Sequence, residues 1–278
     1  MSSNTMISIE KLARLIGRPD SPVLIDVCLE EDFACDPRLV PGAIRKSHRN
    51  VAEWAADYAG REVVVICQKG LKLSEGVAAW LRHAGAQARN LEGGALAWAK
   101  AGLPMVVTAR MPPRSCAGAT LWVTRSRPKI DRIACPWLIR RFIDPAAVFL
   151  FVSPPEVRGV ADRFGATSFD IDGEDQFWSH RGELCTLDVM IHEFGLSSEP
   201  LNRLAAIVRG ADTARLDLAP EAAGLLAISL GLSRMFSDDL KQLEAGMPVY
   251  DALYRWCSDA TEETHNWPAQ KPLKATVS

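Results

Sequence analysis

The stretch Val63-Val64-Val65-Ile66-Cys67-Gln68-Lys69-Gly70-Leu71-Lys72-Leu73-Ser74 decides the fold. A β-branched run that ends on a cysteine is the pattern of a buried strand. A short loop with one glycine and two lysines follows. A helical pattern then begins near Ser74, with Leu73, Val77, Trp80, Leu81 and Ala84 on one face. Strand, loop and helix N-terminus in this order bring unpaired amides and the positive end of a helix to the cysteine. A free thiol titrates near pH ~8.5. Loop amides curled into a nest, together with Lys69 and Lys72, favour negative charge on the Cys67 sulfur, as thiolate or as persulfide. Gly70 lets the loop curl where a Cβ would clash. The plainer reading of the same residues is a strand-end cysteine beside two solvated lysines.

Outward from this loop, strands alternate with helices. Residues 23–27 and 88–91 read as strands, and Asp26 ends the first as a loop anchor or a solvated carboxylate. Ser8 is placed to cap a helix carrying Ile9, Leu12, Ala13 and Ile16. Residues 30–37 read as acidic and irregular, 52–58 as a short helix, and Gly93-Gly94 as a turn into a helix around Trp98. The pattern predicts an α/β fold with a mostly parallel sheet flanked by helices. A thiol at the C-terminal end of a strand sits where such sheets place ligands. Cys28 and Cys35 read as loop or core thiols, or as thiols that resolve an oxidised Cys67.

This region resembles a rhodanese-like sulfurtransferase domain. The matching pieces are Val23-Leu24-Ile25-Asp26-Val27, Val40-Pro41-Gly42-Ala43-Ile44, the Cys67 loop, Leu91-Glu92-Gly93-Gly94, Ala97-Trp98 and Gly102-Leu103-Pro104. The resemblance implies that Cys67 takes a sulfane sulfur from a small donor and passes it to a nucleophilic acceptor, with Lys69, Gly70 and Lys72 completing the site and no cofactor required. It also implies a loop sized for sulfur rather than phosphate, of the thiosulfate type. The chain departs from the family pattern at Cys28, Leu39 and Lys72.

Residues 1–108 are therefore expected to form one domain, 109–119 a linker marked by Pro112-Pro113, Ser115 and Gly118, 120–260 a second domain, and 261–278 a loose polar tail. Cys116, in the linker, has no assigned role. The second domain reads as α+β. Strands are expected at 121–124, 147–152 and 167–171, with a Ser153-capped helix starting on Pro154. A helix capped by Thr186 carries Leu187, Met190, Ile191 and Phe194 inward. Helices from Glu199 close the chain, the last interrupted near Gly246-Met247-Pro248. The segment Asp131-Arg132-Ile133-Ala134-Cys135-Pro136-Trp137-Leu138-Ile139-Arg140-Arg141-Phe142-Ile143-Asp144 is distinctive, with Ile133, Trp137 and Leu138 inward. With His180-Arg181-Gly182, Cys185-Thr186-Leu187-Asp188 and Ile207-Val208-Arg209-Gly210-Ala211-Asp212, it resembles the C-terminal domain of chromate resistance protein B.

Two candidate sites stand out in this half. Arg125, Arg127, Arg132, Arg140 and Arg141 form a dense cationic set, and arginine forks suit tetrahedral oxyanions such as sulfate or chromate. A solvated face paired with Asp131 and Asp144 reads the same residues equally well. His180, Asp188 and His192 suit zinc, iron or manganese; Asp188 and His192 are four apart on one helix face, and Asp212 could join from the next helix end. An exposed Asp–His pair without metal is the alternative. The Asp170–Asp175 turn holds four acids and reads as a solvated turn or a weak cation site, without the spacing of a calcium loop.

Composition narrows the partners. The chain has 278 residues, 48% hydrophobic and 24% charged, with a net charge of −2. Residues 1–110 carry 14 basic and 12 acidic side chains, which leaves 18 and 22 for the rest, so neither half has the basic excess of a nucleic-acid surface. Seven cysteines without a CxxC argue against a disulfide framework or zinc ribbon. The longest apolar run, 222–232, falls short of the ~20 residues a bilayer span needs. A cytoplasmic protein of unassigned oligomeric state is expected. The readings that remain are a sulfurtransferase fused to a chromate-resistance domain, a chromate-responsive sensor or regulator, and a metal-binding oxidoreductase.

Overall fold

In the computed structural model, residues 5–116, 118–173 and 176–263 are described. Most of the expected tail, and Glu174 and Asp175 of the expected acidic turn, lie outside them.

The first half runs β1 (Met6–Ile7), α1 (Ile9–Ala13), β2 (Val23–Asp26), α2 (Glu30–Cys35), β3 (Arg38–Leu39), β4 (Ala43–Arg45), α3 (Val51–Trp54), β5 (Glu62–Ile66), α4 (Lys72–His83), β6 (Gln87–Leu91), α5 (Gly94–Lys100) and β7 (Val106–Val107). A five-stranded sheet in the order β1-β6-β5-β2-β4 is parallel throughout. β5 is its centre, and Val63, Val64, Val65 and Ile66 are fully buried. Burial on both faces is what an unbroken β-branched run requires. Strand alternation divides the side chains. Val63, Val65 and Cys67 pack with Val51, Trp54, Val77 and Leu81. Val64 and Ile66 face the other way, into a core that also holds Trp98, Trp137 and Phe142.

The second half runs β8 (Leu121–Arg125), α6 (Asp131–Leu138), β9 (Val148–Val152), α7 (Val157–Phe164), β10 (Thr167–Ser168), α8 (Thr186–Glu193), α9 (Glu199–Asp212), α10 (Ala222–Met235) and α11 (Asp239–Asp259). Its three-stranded sheet, β10-β8-β9, is also parallel. The larger core cluster is continuous across both halves. The contact is close enough to fix residue types: a Cβ on Gly17 would lie 2.3 Å from the Phe142 ring. Backbone bonds also cross, from Gly42 N–H to the Phe142 carbonyl at 2.6 Å and from Val107 N–H to the Phe194 carbonyl at 3.0 Å.

Several expectations need correction. Residues 30–35 are helical, with Glu30, Glu31 and Asp32 in the first turn, where acids complement the helix dipole. Trp80 is half exposed and lies off the inward face of α4. The strand expected at 167–171 stops at Ser168, and Asp170 turns to φ +48°. The N-cap of α8 is Cys185, not Thr186. The last helix runs unbroken through Pro248. Gly246 serves close packing instead: a Cβ there would lie 2.7 Å from Ile133 of α6. Within the stretch expected as a linker, Arg114 reaches buried Asp144 at 3.0 Å.

Candidate active site

Cys67 follows the last residue of β5 and is 5% exposed. The loop from Gln68 to Leu71 leads directly into α4. Among the described residues, the amides of Gln68 through Lys72 have no hydrogen-bond acceptor. Of these residues Gly70 is buried and Gln68 half-buried, and their amides are available to an anion. Lys69 and Lys72 are exposed at the loop, and neither pairs with a carboxylate among the described residues.

The loop shape is fixed by backbone against backbone. Gly70 sits at φ +69°, and a Cβ there would lie 2.3 Å from the Leu91 carbonyl oxygen. Gly94, at φ +61°, would place a Cβ 2.2 Å from the Cys67 carbonyl oxygen. Ala95 and Leu96 N–H donate to the carbonyls of Cys67 and Gln68, each at 3.0 Å. The buried Asn90 amide donates to the Gly70 carbonyl at 3.0 Å.

Sequence reasoning missed Ser74 as a site residue. Its hydroxyl is 3.2 Å from the Cys67 sulfur and donates to the Leu71 carbonyl at 3.0 Å. It is fully buried in the first turn of α4. The signal was available: a hydroxyl in the first turn of the helix that follows a strand-end cysteine.

Cys28 lies beyond the end of β2, the strand beside β5. Asp26 is buried and anchors this turn, accepting from Cys28 N–H at 3.1 Å and Arg45 at 3.0 Å. The Cys28 thiol donates to the other Asp26 oxygen at 3.4 Å. Burial, then the Asp26 carboxylate, pushes the Cys28 thiol far above its usual range. Burial also raises Asp26, against the pull of Cys28 and Arg45. A cleft of about 410 Å³ opens beside Cys28, with Lys46, His48 and Arg49 on its wall. Cys35 is exposed, and its thiol donates to the Glu31 carbonyl.

The five arginines of the second half do not converge. Arg127 donates to the Ser233 and Phe236 carbonyls, closing the C-terminal end of α10. Arg140 pairs with Glu244, and Arg141 grips Asp251 with two bonds of 2.8 Å. Arg125 and Arg132 both reach Asp170, at 3.6 and 3.3 Å. Each guanidinium is thus committed to a carboxylate or a helix end. Neither the single oxyanion pocket nor the simple solvated face is what forms. Cys135 is fully buried, and burial holds its thiol well above the ordinary range.

The trio His180, Asp188 and His192 is not assembled either. Asp188 accepts from Cys185 N–H at 3.1 Å in a capping box and from Arg209 at 2.7 Å, while His192 is exposed. His180 instead meets three other carboxylates. Its Nε2 is 3.4 Å from Asp131, 3.5 Å from Asp170 and 3.3 Å from Asp212. These carboxylates hold the His180 proton, with a pKa of about 12. Asp131 is fully buried, and burial pushes it up to about 6. Asp170 is held below the usual carboxylate range; burial opposes this, but His180, Thr186 and Arg132 outweigh it.

Comparison with known proteins follows the same division. Residues 8–101 match the family described as rhodanese-like domain, and residues 122–257 match that described as ChrB, C-terminal domain. Protein ChrB of Cupriavidus metallidurans is 38% identical over 135 residues, and the match spans 48% of this chain and 39% of that relative. Among solved structures, a thiosulfate sulfurtransferase from Pseudomonas aeruginosa is 25% identical, covering 36% of this chain and 19% of that one with a TM-score of 0.31. A rhodanese-like domain protein from Staphylococcus aureus is 24% identical, covering 34% and 90% with a TM-score of 0.30.

Proposed function

The chain joins a rhodanese-like domain to a ChrB C-terminal domain, and from that premise we propose that it is a sulfurtransferase working through a persulfide on Cys67. The observation that carries this reading is the run of amides from Gln68 to Lys72, without protein acceptors among the described residues, that follows a strand-end thiol. A thiosulfate-type donor presents an outer sulfur attached to a sulfonate. The Cys67 thiolate attacks the outer sulfur, the sulfur–sulfur bond of the donor breaks, and sulfite leaves with the bonding pair. The new Cys67 persulfide is an anion placed beside the loop amides. A nucleophilic acceptor then attacks its terminal sulfur and restores the Cys67 thiolate.

Each part of the loop has a place in this cycle. Loop amides stabilise the terminal sulfur anion. Lys69 and Lys72 attract the doubly charged donor and the departing sulfite. Ser74 can turn its hydroxyl from the Leu71 carbonyl to the Cys67 sulfur when that sulfur carries charge. The same residues need no cofactor.

Transfer of sulfur from thiosulfate to cyanide, measured on the wild type and on Cys67→Ser, tests the reading. Robust thiocyanate formation that disappears in the variant is expected. Equal rates in the two proteins would sink it. We read the second half as the part associated with chromate resistance. Loss of the gene should then lower growth in chromate, and unchanged growth would remove that association.

A further inference from the structure

We propose that Asp131, Asp170 and His180 bind a divalent transition-metal ion, with Asp212 as an additional carboxylate at its edge. The site is separate from the Cys67 loop and stands or falls without it. One donor atom from each of the three residues lies within 4.8 Å of the others. They come from distant parts of the chain: the first residue of α6, the turn after β10, and the loop before α8. Asp212 arrives from the end of α9.

The distances from His180 Nε2 to the three carboxylates suit ligands of one ion, which would bind in place of the proton they otherwise share. Charge-assisted N–H···O bonds run at ~2.7–2.9 Å. Here one nitrogen has three carboxylate oxygens at 3.3, 3.4 and 3.5 Å. A single imidazole N–H cannot donate to all three. Donor atoms sharing an ion at ~2.1 Å stand ~3.0–3.4 Å apart in octahedral or tetrahedral geometry.

Charge and support agree with this. Asp131 is fully buried, and among the described residues its only cationic partner is His180. The arginines that reach Asp170 do so through Oδ2, leaving Oδ1 toward His180. Each ligand oxygen is also oriented from behind: Thr186 N–H donates to Asp131 Oδ2 at 2.6 Å, and the Thr186 hydroxyl donates to Asp170 Oδ1 at 2.9 Å. Such outer partners are what metal-binding carboxylates require. One imidazole with two or three carboxylates is an oxygen-rich set, suited to manganese, iron or zinc in the divalent state and not to soft copper(I). The His180 side chain is 40% exposed, so an ion can enter from solvent.

The experiment uses the full chain stripped with a chelator. Mn(II) is titrated in, free ion is read by its paramagnetic resonance signal, and Zn(II) is added as competitor. One Mn(II) per chain, displaced by Zn(II), is expected. His180→Gln should weaken binding by at least ~100-fold, beyond the range for loss of an outer partner. His192→Gln should bind as the wild type does. Metal should raise the melting temperature of the wild type and of His192→Gln but not of His180→Gln. Asp131→Asn is less decisive, because Asp131 also accepts the Thr186 and Leu187 amides. No stoichiometric binding of either ion by the wild type would overturn the proposal, and so would wild-type binding in a folded His180→Gln.

Discussion

At the residue scale, two sulfurs on neighbouring strands have opposite assignments. Cys67 sits among free amides with Ser74 at 3.2 Å, whereas Cys28 is held as a thiol against the buried Asp26 carboxylate. Ser74→Ala should leave the fold intact and lower sulfur transfer by about tenfold or more, the scale of a lost hydrogen bond to a charged group. Steady-state kinetics of the two proteins would check this, and an unchanged rate would remove Ser74 from the site. In Cys67→Ser, Cys28 should resist iodoacetamide at neutral pH and react only in strong alkali, because burial and Asp26 raise its pKa. Mass analysis after alkylation reads the outcome; prompt labelling of Cys28 would contradict it. Cys67 and Gly70 were legible in the sequence because their neighbours along the chain make the loop. Asp131 was not, because its partners Asp170, His180 and Asp212 meet it only through the fold.

At the element scale, the ends of helices take up charges that looked functional. Asp188 closes the first turn of α8 and pairs with Arg209, so it belongs to the helix rather than to a metal set. Asp188→Ala should cost ~1–3 kcal/mol, the sum of a lost cap and a half-buried guanidinium left unpaired. Denaturant unfolding would measure it, with Mn(II) binding unchanged if Asp188 lies outside the metal set. Arg127 likewise spends its guanidinium on the end of α10. The helical pattern of α6 was legible from Ile133, Trp137 and Leu138. The direction the arginines would take was not, since the partners of Arg127, Arg140 and Arg141 lie about a hundred residues away and Asp170, which Arg125 and Arg132 reach, lies about forty away. Pro248 misled for a related reason: tertiary packing of α11 on α6 at Gly246 outweighs the local helix-breaking tendency of proline.

At the scale of the whole molecule, the two halves share one core. The far face of the β5 sheet and the aromatic residues Trp137 and Phe142 belong to the same cluster. A single cooperative unfolding transition is therefore expected in calorimetry, and two separated transitions would contradict it. Gly17→Val should destabilise the whole chain by ~2 kcal/mol or more, because a Cβ meets the Phe142 ring and the backbone is at φ +81°. The Pro- and Ser-containing stretch between the halves reads as a linker from composition alone. Its bond from Arg114 to Asp144 depends on a surface that composition does not reveal. What the molecule does rests on whether Cys67 can carry sulfur. Intact-protein mass measurement after brief exposure to thiosulfate and desalting tests this most directly. A gain of one sulfur atom, located on Cys67, reversed by cyanide and absent in Cys67→Ser, is the expected result. An unmodified wild-type protein, or sulfur carried on another cysteine in Cys67→Ser, would contradict it.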